Sequence, residues 1–247
     1  MLWTIYKRVK HLFFEQYKNQ RLKKIEGIFG RNWFVGKSVL DIATAHGDMG
    51  SHFLNLGADV LFTDVRESHL ESVRNSLLPM NIEPDTLILD TNKPYNLQRQ
   101  FDLVLHLGNL QHIPNWKQDL ECAMNHTNYM ILDSMVLPEK GIKDQQQNQQ
   151  LDGNPYSGVY SSIPIFTQES VEEHLTALGC KYLRFDDKEL NTNWSFVKKH
   201  GKDKLGMRIL YDWDYNNLGY LDNAKEVYEQ KGIRYNICHQ RMWLVIK

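Results

Sequence analysis

Cysteine is scarce in this chain of 247 residues: Cys122, Cys180 and Cys238 stand far apart, with no CxxC pair and an odd total. That pattern excludes a disulfide framework and a cysteine-built zinc site, and it predicts a reducing, cytoplasmic setting. Charge of one sign is also lacking, because 29 Lys and Arg face 30 Asp and Glu for a formal net charge of -1. No global field therefore draws the chain onto duplex nucleic acid or an anionic membrane. No apolar run approaches membrane-spanning length, and Lys7, Arg8 and Lys10 interrupt the aromatic N-terminal segment in a way no signal peptide does. Internal repeats are missing too. What the chain does have is 42% apolar residues, enough for the core of one large α/β domain.

The most informative stretch is Ser38 to Gly50, SVLDIATAHGDMG. Val39, Leu40 and Ile42 read as a buried parallel strand, Ala43 to Gly47 as a tight turn, and Met49 as the start of a helix. Such a corner brings backbone N–H groups and a helix N-terminus close to a ligand, and Asp41 at the strand end can take a cationic or hydroxyl-bearing group.

Before this corner, residues 1–32 form an amphipathic helical segment, with Leu2, Tyr6, Val9, Phe13, Tyr17, Leu22 and Ile25 at three- and four-residue spacing. A helix packing on the domain or covering its cleft accounts for it, and its Lys and Arg make a solvated face. After the corner, Met49 to Leu56 give a helix ended by Gly57, and Ala58 to Thr63 a second strand ending at Asp64. An acid there can accept from both ribose hydroxyls of an adenosine-containing cofactor. A helix over 67–78 and a third strand over 86–89, ending at Asp90, follow. Asp41, Asp64 and Asp90 thus share the strand-end edge at which open α/β sheets bind ligands, although each alone serves equally well as a cap or turn residue.

The fourth strand is expected over Phe101 to Leu107, continuing into Gly108-Asn109-Leu110-Gln111-His112. A helix over 116–124 leads to a fifth strand over 128–132 that ends in Asp133 and Ser134. Residues 138–163, rich in Gln, Asn, Gly and Ser, read as a polar loop rather than a strand, and as a lid over a substrate pocket. Tyr156 and Tyr160 favour that role over a plain surface insertion. Thr167-Gln168-Glu169-Ser170 can cap a helix to Leu178, with a sixth strand over 181–185 and a last strand over 242–246. Residues 187–235 read as an aromatic-rich insertion packed on the domain.

Taken together, these motifs resemble a class I S-adenosylmethionine-dependent methyltransferase over most of residues 33–247. VLDIATAHGDMG stands where that family has its acid and glycine-rich turn, LFTDV where it has the ribose-binding acid, and LILDT and FDLVLHLGNLQHI where its adenine-side and post-fourth-strand motifs occur. The resemblance implies a Rossmann-like three-layer α/β sandwich. Its mostly parallel sheet has seven strands, the last antiparallel and inserted between the fifth and sixth. It also implies S-adenosylmethionine as cofactor, held by Asp41, Ala43, Ala45, Gly47, Met49, Asp64, Val65, Asp90, Thr91, His106 and Leu107. Ala43 and Ala45 depart from the family, which usually has glycine there; alanine is tolerable where φ is negative, and each methyl would crowd the methionine tail.

Methyl transfer from a sulfonium needs an in-line approach and, for some acceptors, a base. His112 and Asp133 are the catalytic candidates, His112 first, against the alternative that His112 caps the next helix or packs on Trp116. His106 occupies the position where metal-dependent relatives carry a carboxylate, so no metal is expected. The near-neutral charge and the polar lid favour a small polar metabolite or sugar as acceptor, O- or N-methylated, with no membrane partner. RNA is the second acceptor class, with Trp and Tyr of residues 194–220 available to stack on bases, and a non-catalytic cofactor-binding module is the third reading.

Overall fold

The computed structural model describes residues 18–136, 145–148, 162–185, 187, 190, 192–198, 206–211 and 234–247. Residues 1–17 of the amphipathic segment, most of the 138–163 stretch and much of the 187–235 insertion lie outside the described residues.

Helix α1 (residues 18–29) leads into β1 (Ser38–Ile42), α2 (Asp48–Asn55), β2 (Asp59–Asp64), α3 (Glu67–Leu77) and β3 (Asp85–Ile88). The chain continues through β4 (Leu103–Leu107), α4 (Trp116–Asn125), β5 (Tyr129–Val136), β6 (Gln145–Asn148), β7 (Ser162–Ile165), α5 (Gln168–Ala177) and β8 (Lys181–Arg184). It closes with β9 (Thr192–Lys198), β10 (Gly206–Tyr211) and β11 (Arg234–Ile246).

The sheet runs β3-β2-β1-β4-β5-β11, with β8 on the far side of β11. The first five strands pair in parallel, whereas β11 is antiparallel to both β5 and β8. These seven strands are the set the sequence resemblance implied, in the implied order. Two strands come in addition: β11 is long enough that its first half pairs antiparallel with β9, which pairs with β10. The insertion therefore extends the central sheet. The stretch read as a polar loop also contains a strand, because β6 pairs antiparallel with β7 in a separate ribbon. A glutamine run has no face that must be buried, so its pairing with Ser162–Ile165 is not written in its own pattern.

Because side chains alternate along a strand, each strand feeds two cores. Leu40, Ile42, Val104 and Leu132 pack with Leu120 and Ala123 of α4 and Val171 and Leu175 of α5. Val39, Leu103, Leu105 and Ile131 pack on the other face with Phe53 of α2, Leu70 and Val73 of α3, and Leu22 and Ile25 of α1. The result is the expected three layers. Thr167 caps α5 through its side-chain oxygen, which accepts from Ser170 N at 3.1 Å.

Strand β5 runs past the expected end, so Asp133 and Ser134 lie inside it rather than at its tip. Both are buried. The carboxylate of Asp133 accepts from Arg21 Nε and from Gln240 Nε2, and Arg21 Nη2 donates to Leu190 O at 3.1 Å. Arg21 and Asp133 are both 0% exposed, so α1 is tied to the sheet by a buried ion pair. Removing one partner of such a pair leaves a charge without compensation. Arg21→Ala should therefore lower unfolding free energy by about 3–5 kcal/mol in chemical denaturation, well beyond an exposed Lys23→Ala control. A loss equal to the control would mean that the pair does not form.

Candidate functional site at the carboxyl edge of the sheet

The ends of β1, β2 and β4 and the loops that leave them form one edge. Asp41, in the second-last position of β1, is buried, and its Oδ2 accepts from Thr44 Oγ1 at 2.5 Å and from Gly50 N at 3.1 Å. One carboxylate oxygen thus ties the strand end to the turn and to the first helical turn of α2. Burial pushes the Asp41 carboxyl up to about 7, the bonds from Thr44 and Gly50 oppose this, and the charge of Asp64 adds to it. The approach depends on glycine, since a Cβ at Gly50 would fall 2.5 Å from Phe62 Cε1 and 2.6 Å from Asp41 Oδ2.

The turn itself differs from the sequence expectation. Ala43 and Ala45 adopt φ of 54° and 50°, the left-handed region, rather than negative φ. The backbone keeps a glycine-like course without glycine, at a cost of about 1–2 kcal/mol for each alanine. Gly47 is left-handed as well, with φ of 77°, and a Cβ there would stand 2.7 Å from Val73 Cγ2. The turn is fixed by Thr44 N donating to Thr63 O at 2.8 Å and Gly47 N to Thr44 O at 2.9 Å. Met49 is partly buried and packs against the core beneath α2.

Asp64 ends β2 and is 5% exposed. Its Oδ2 accepts from Ala45 N at 3.1 Å and its Oδ1 from Arg66 N at 2.9 Å, so the acid and the turn are one hydrogen-bonded unit. His69 of α3 brings Nδ1 to 3.0 Å from Asp64 Oδ2, a close contact without hydrogen-bond alignment. Val65, next in the chain, is partly exposed. Asp90 falls beyond β3 in a turn, accepting from Asn92 N at 3.2 Å and pairing with Lys93 at 2.8 Å, and Thr91 is buried beside it.

His106 and Leu107 end β4, and one ring nitrogen of His106 is tied to the neighbouring helix. His106 is 0% exposed, and its Nε2 donates to Asp119 Oδ2 of α4 at 2.6 Å, while Tyr95 Oη donates to the other oxygen of that carboxylate at 3.1 Å. His112 closes the short 3-10 turn Leu110–His112. Burial holds its imidazolium down, and the charge of Arg66 across the edge adds to the effect. Asp133 does not join His112: its carboxylate is spent on Arg21 and Gln240.

One distribution defines the site. Among the described residues, the buried side-chain nitrogens without a hydrogen-bond partner are His69 Nδ1 and Nε2, His106 Nδ1, Asn109 Nδ2 and His112 Nδ1. All sit just before or after the carboxyl ends of β2 and β4. Such groups are rare in folded proteins, and each calls for a partner such as a water, an ion or a ligand. A polar cleft of about 530 Å³ at the opposite edge, lined by Tyr95, Asn96, Gln98, Arg99, Gln100, Asn125 and His126, has no such atoms. There His126 uses both ring nitrogens, on Leu97 N at 3.2 Å and Arg99 O at 2.9 Å.

Sequence reasoning missed Thr44, Gly50, His69 and Asn109. Gly50 left a signal, a glycine in the first turn of a helix opposite a strand-end acid; His69 and Asn109 left none, since their importance lies in partners they lack. Among the described residues, no group of three or more His, Cys, Asp or Glu side chains is placed to hold a metal ion.

The fold has solved counterparts. The N-terminal domain of EvdMO1, crystallised with S-adenosylhomocysteine and D-fucose, aligns over 93% of this chain and 83% of its own at TM-score 0.59 and 12% identity. An S-adenosylmethionine-dependent methyltransferase from Clostridium acetobutylicum covers 84% of this chain and 97% of its own at TM-score 0.53 and 15% identity. Magnesium protoporphyrin IX methyltransferase from Synechocystis, with bound S-adenosylhomocysteine, covers 96% and 84% at TM-score 0.56 and 10% identity. No family model and no curated protein matches the sequence. At such identities the likeness establishes the fold, which is that of the Rossmann-like class I methyltransferases.

The left-handed alanines give a direct test of the turn. Glycine at position 45 would release about 1–2 kcal/mol of backbone strain and lose about 0.4–1 kcal/mol to unfolded-chain entropy. Ala45→Gly is thus expected to hold or raise the melting temperature, against the usual penalty for Ala→Gly, and a fall of several degrees would contradict the left-handed turn.

Proposed function

We propose that this protein is an S-adenosylmethionine-dependent methyltransferase acting on a small polar acceptor such as a sugar or other metabolite. The observation that carries the reading is the clustering of unpartnered buried nitrogens at the carboxyl edge, beside a glycine-dependent turn and a buried strand-end acid. Those residues fit the cofactor. In this reading Asp64 takes the ribose hydroxyls and Val65, Asp90 and Thr91 border the adenine. The Ala43–Gly47 turn and Leu107 would border the methionine portion. Asp41, poised near neutrality by burial, is drawn to its ionised form by a cation placed beside it. The cofactor supplies an electrophilic methyl group on a cationic sulfur, so the protein has only to align an acceptor and receive a proton.

His112 is the proton acceptor in this reading. Its depressed pKa keeps the imidazole neutral at neutral pH, the state a base requires. Asp133 is the weaker candidate, because its carboxylate is already engaged by Arg21 and Gln240. The ribbon strand β7 lies against the turn Leu110–His112 and so borders the acceptor side in this reading. A reducing, cytoplasmic setting suits the free thiols of Cys122 and Cys180. Near-balanced charge favours a small acceptor over RNA.

Calorimetric titration with S-adenosylhomocysteine tests the reading. The wild-type chain is expected to bind, and Asp64→Ala to weaken binding by about ten- to a hundredfold, the scale of a lost charge-assisted pair of hydrogen bonds. Unchanged affinity in a folded Asp64→Ala variant would remove Asp64 from the site, and no binding by wild type would remove the function.

A further inference from the structure

The turn after β4 sorts its side chains by direction. Leu110 is 0% exposed and enters the core. Gln111 is bound in place, donating from Nε2 to Gly108 O at 2.7 Å and accepting from Ser134 Oγ at 2.9 Å. Asn109 and His112 remain. They are the first and fourth residues of a 3-10 turn closed by His112 N donating to Asn109 O at 2.8 Å. At three residues per turn, positions i and i+3 eclipse, so the two side chains share one face. Each carries a shielded nitrogen without a partner there, Asn109 Nδ2 and His112 Nδ1.

The two nitrogens are complementary in kind. An amide nitrogen only donates, whereas a neutral imidazole protonated at Nε2 offers a lone pair at Nδ1. A hydroxyl satisfies both, since its oxygen accepts from Asn109 and its proton points to His112. Its second lone pair stays free to attack. A neutral amine has one lone pair, and an amide donor facing it would tie up the electrons needed for the attack.

We propose that Asn109 and His112 form a two-point receptor for a single hydroxyl group, which makes the protein an O-methyltransferase. This rests on the methyltransferase reading above and adds the acceptor's reacting group and a residue, Asn109, that orients it. In the transfer, the hydroxyl oxygen forms the new bond to the methyl carbon as the carbon–sulfur bond breaks, its electron pair staying on sulfur. The hydroxyl proton passes to His112 Nδ1, and the imidazolium then releases it to water. Burial and Arg66 both disfavour that imidazolium, which speeds the return of the base.

The test uses the full-length protein and acceptor pairs matched in shape: D-fucose with its amino-sugar counterpart, and catechol with o-phenylenediamine, each followed by mass spectrometry with trideuteromethyl-labelled S-adenosylmethionine. Calorimetry with S-adenosylhomocysteine comes first, because absent binding overturns the methyltransferase reading, whereas binding without O-methylation overturns only the hydroxyl receptor. The expected result is label on oxygen, with at least one hydroxyl acceptor favoured over its amine partner. Asn109→Ala and Asn109→Asp should each lower kcat/KM on that acceptor by about ten- to a hundredfold and reduce the hydroxyl-to-amine ratio, with S-adenosylhomocysteine affinity retained. His112→Ala should abolish the rising limb of the pH profile, which lies below the ordinary histidine value of about 6.5. A structural Asn109 would shift melting temperature and leave the ratio fixed. Equal transfer to amines, an unchanged ratio in the Asn109 variants, or no hydroxyl methylated by a chain that binds S-adenosylhomocysteine would each overturn the proposal.

Discussion

The carboxyl edge depends on one buried oxygen, Asp41 Oδ2. By accepting from Thr44 and Gly50 it fixes the distance between the end of β1 and the start of α2, and the turn between them has to fit that span. Five residues must then reverse the chain within it, which forces Ala43, Ala45 and Gly47 into the left-handed region. With the turn so bent, Ala45 N meets Asp64 Oδ2, and the ends of β1 and β2 become one hydrogen-bonded surface. Strain in the turn is thus balanced by bonds that a relaxed turn could not make.

Much of this was legible in the sequence, for a physical reason. Strands β1, β2 and β4 are buried on both faces, so they read as short apolar runs, and a parallel sheet flanked by helices follows from their alternation with helical periods. Helix α5 was marked by the Thr167 cap. The errors fall where tertiary partners override local pattern. Asp133 and Ser134 looked like a strand end because acids and serines usually leave strands; here Arg21 and Gln240, distant in sequence, satisfy the acid and β5 continues through it. Helix α1 reaches Asp133 from 112 positions away, which no periodicity announces.

The site was half legible. Strand-end acids are visible in a sequence because their position relative to an apolar run is visible. The left-handed alanines were not, since alanine's own preference is for negative φ, and only the closed geometry shows what the turn demands. Nor were the unpartnered nitrogens of His69, Asn109 and His112, because a missing partner is a property of the folded surroundings. These nitrogens separate the two polar edges of the sheet: at the amino edge His126 uses both ring nitrogens, while the carboxyl edge holds buried polar atoms without a hydrogen-bond partner.

The central claim is that the carboxyl edge receives the ligand, and nitrogen-15 chemical shifts test it most directly. In a uniformly labelled sample, adding S-adenosylhomocysteine together with a hydroxyl acceptor should move the imidazole resonances of His69 and His112 and the side-chain amide of Asn109. The side-chain amides of Asn96, Gln98 and Gln100, at the amino-edge cleft, should stay in place. Shifts confined to Asn96, Gln98, Gln100 and His126, with the carboxyl-edge nitrogens unmoved, would contradict the account.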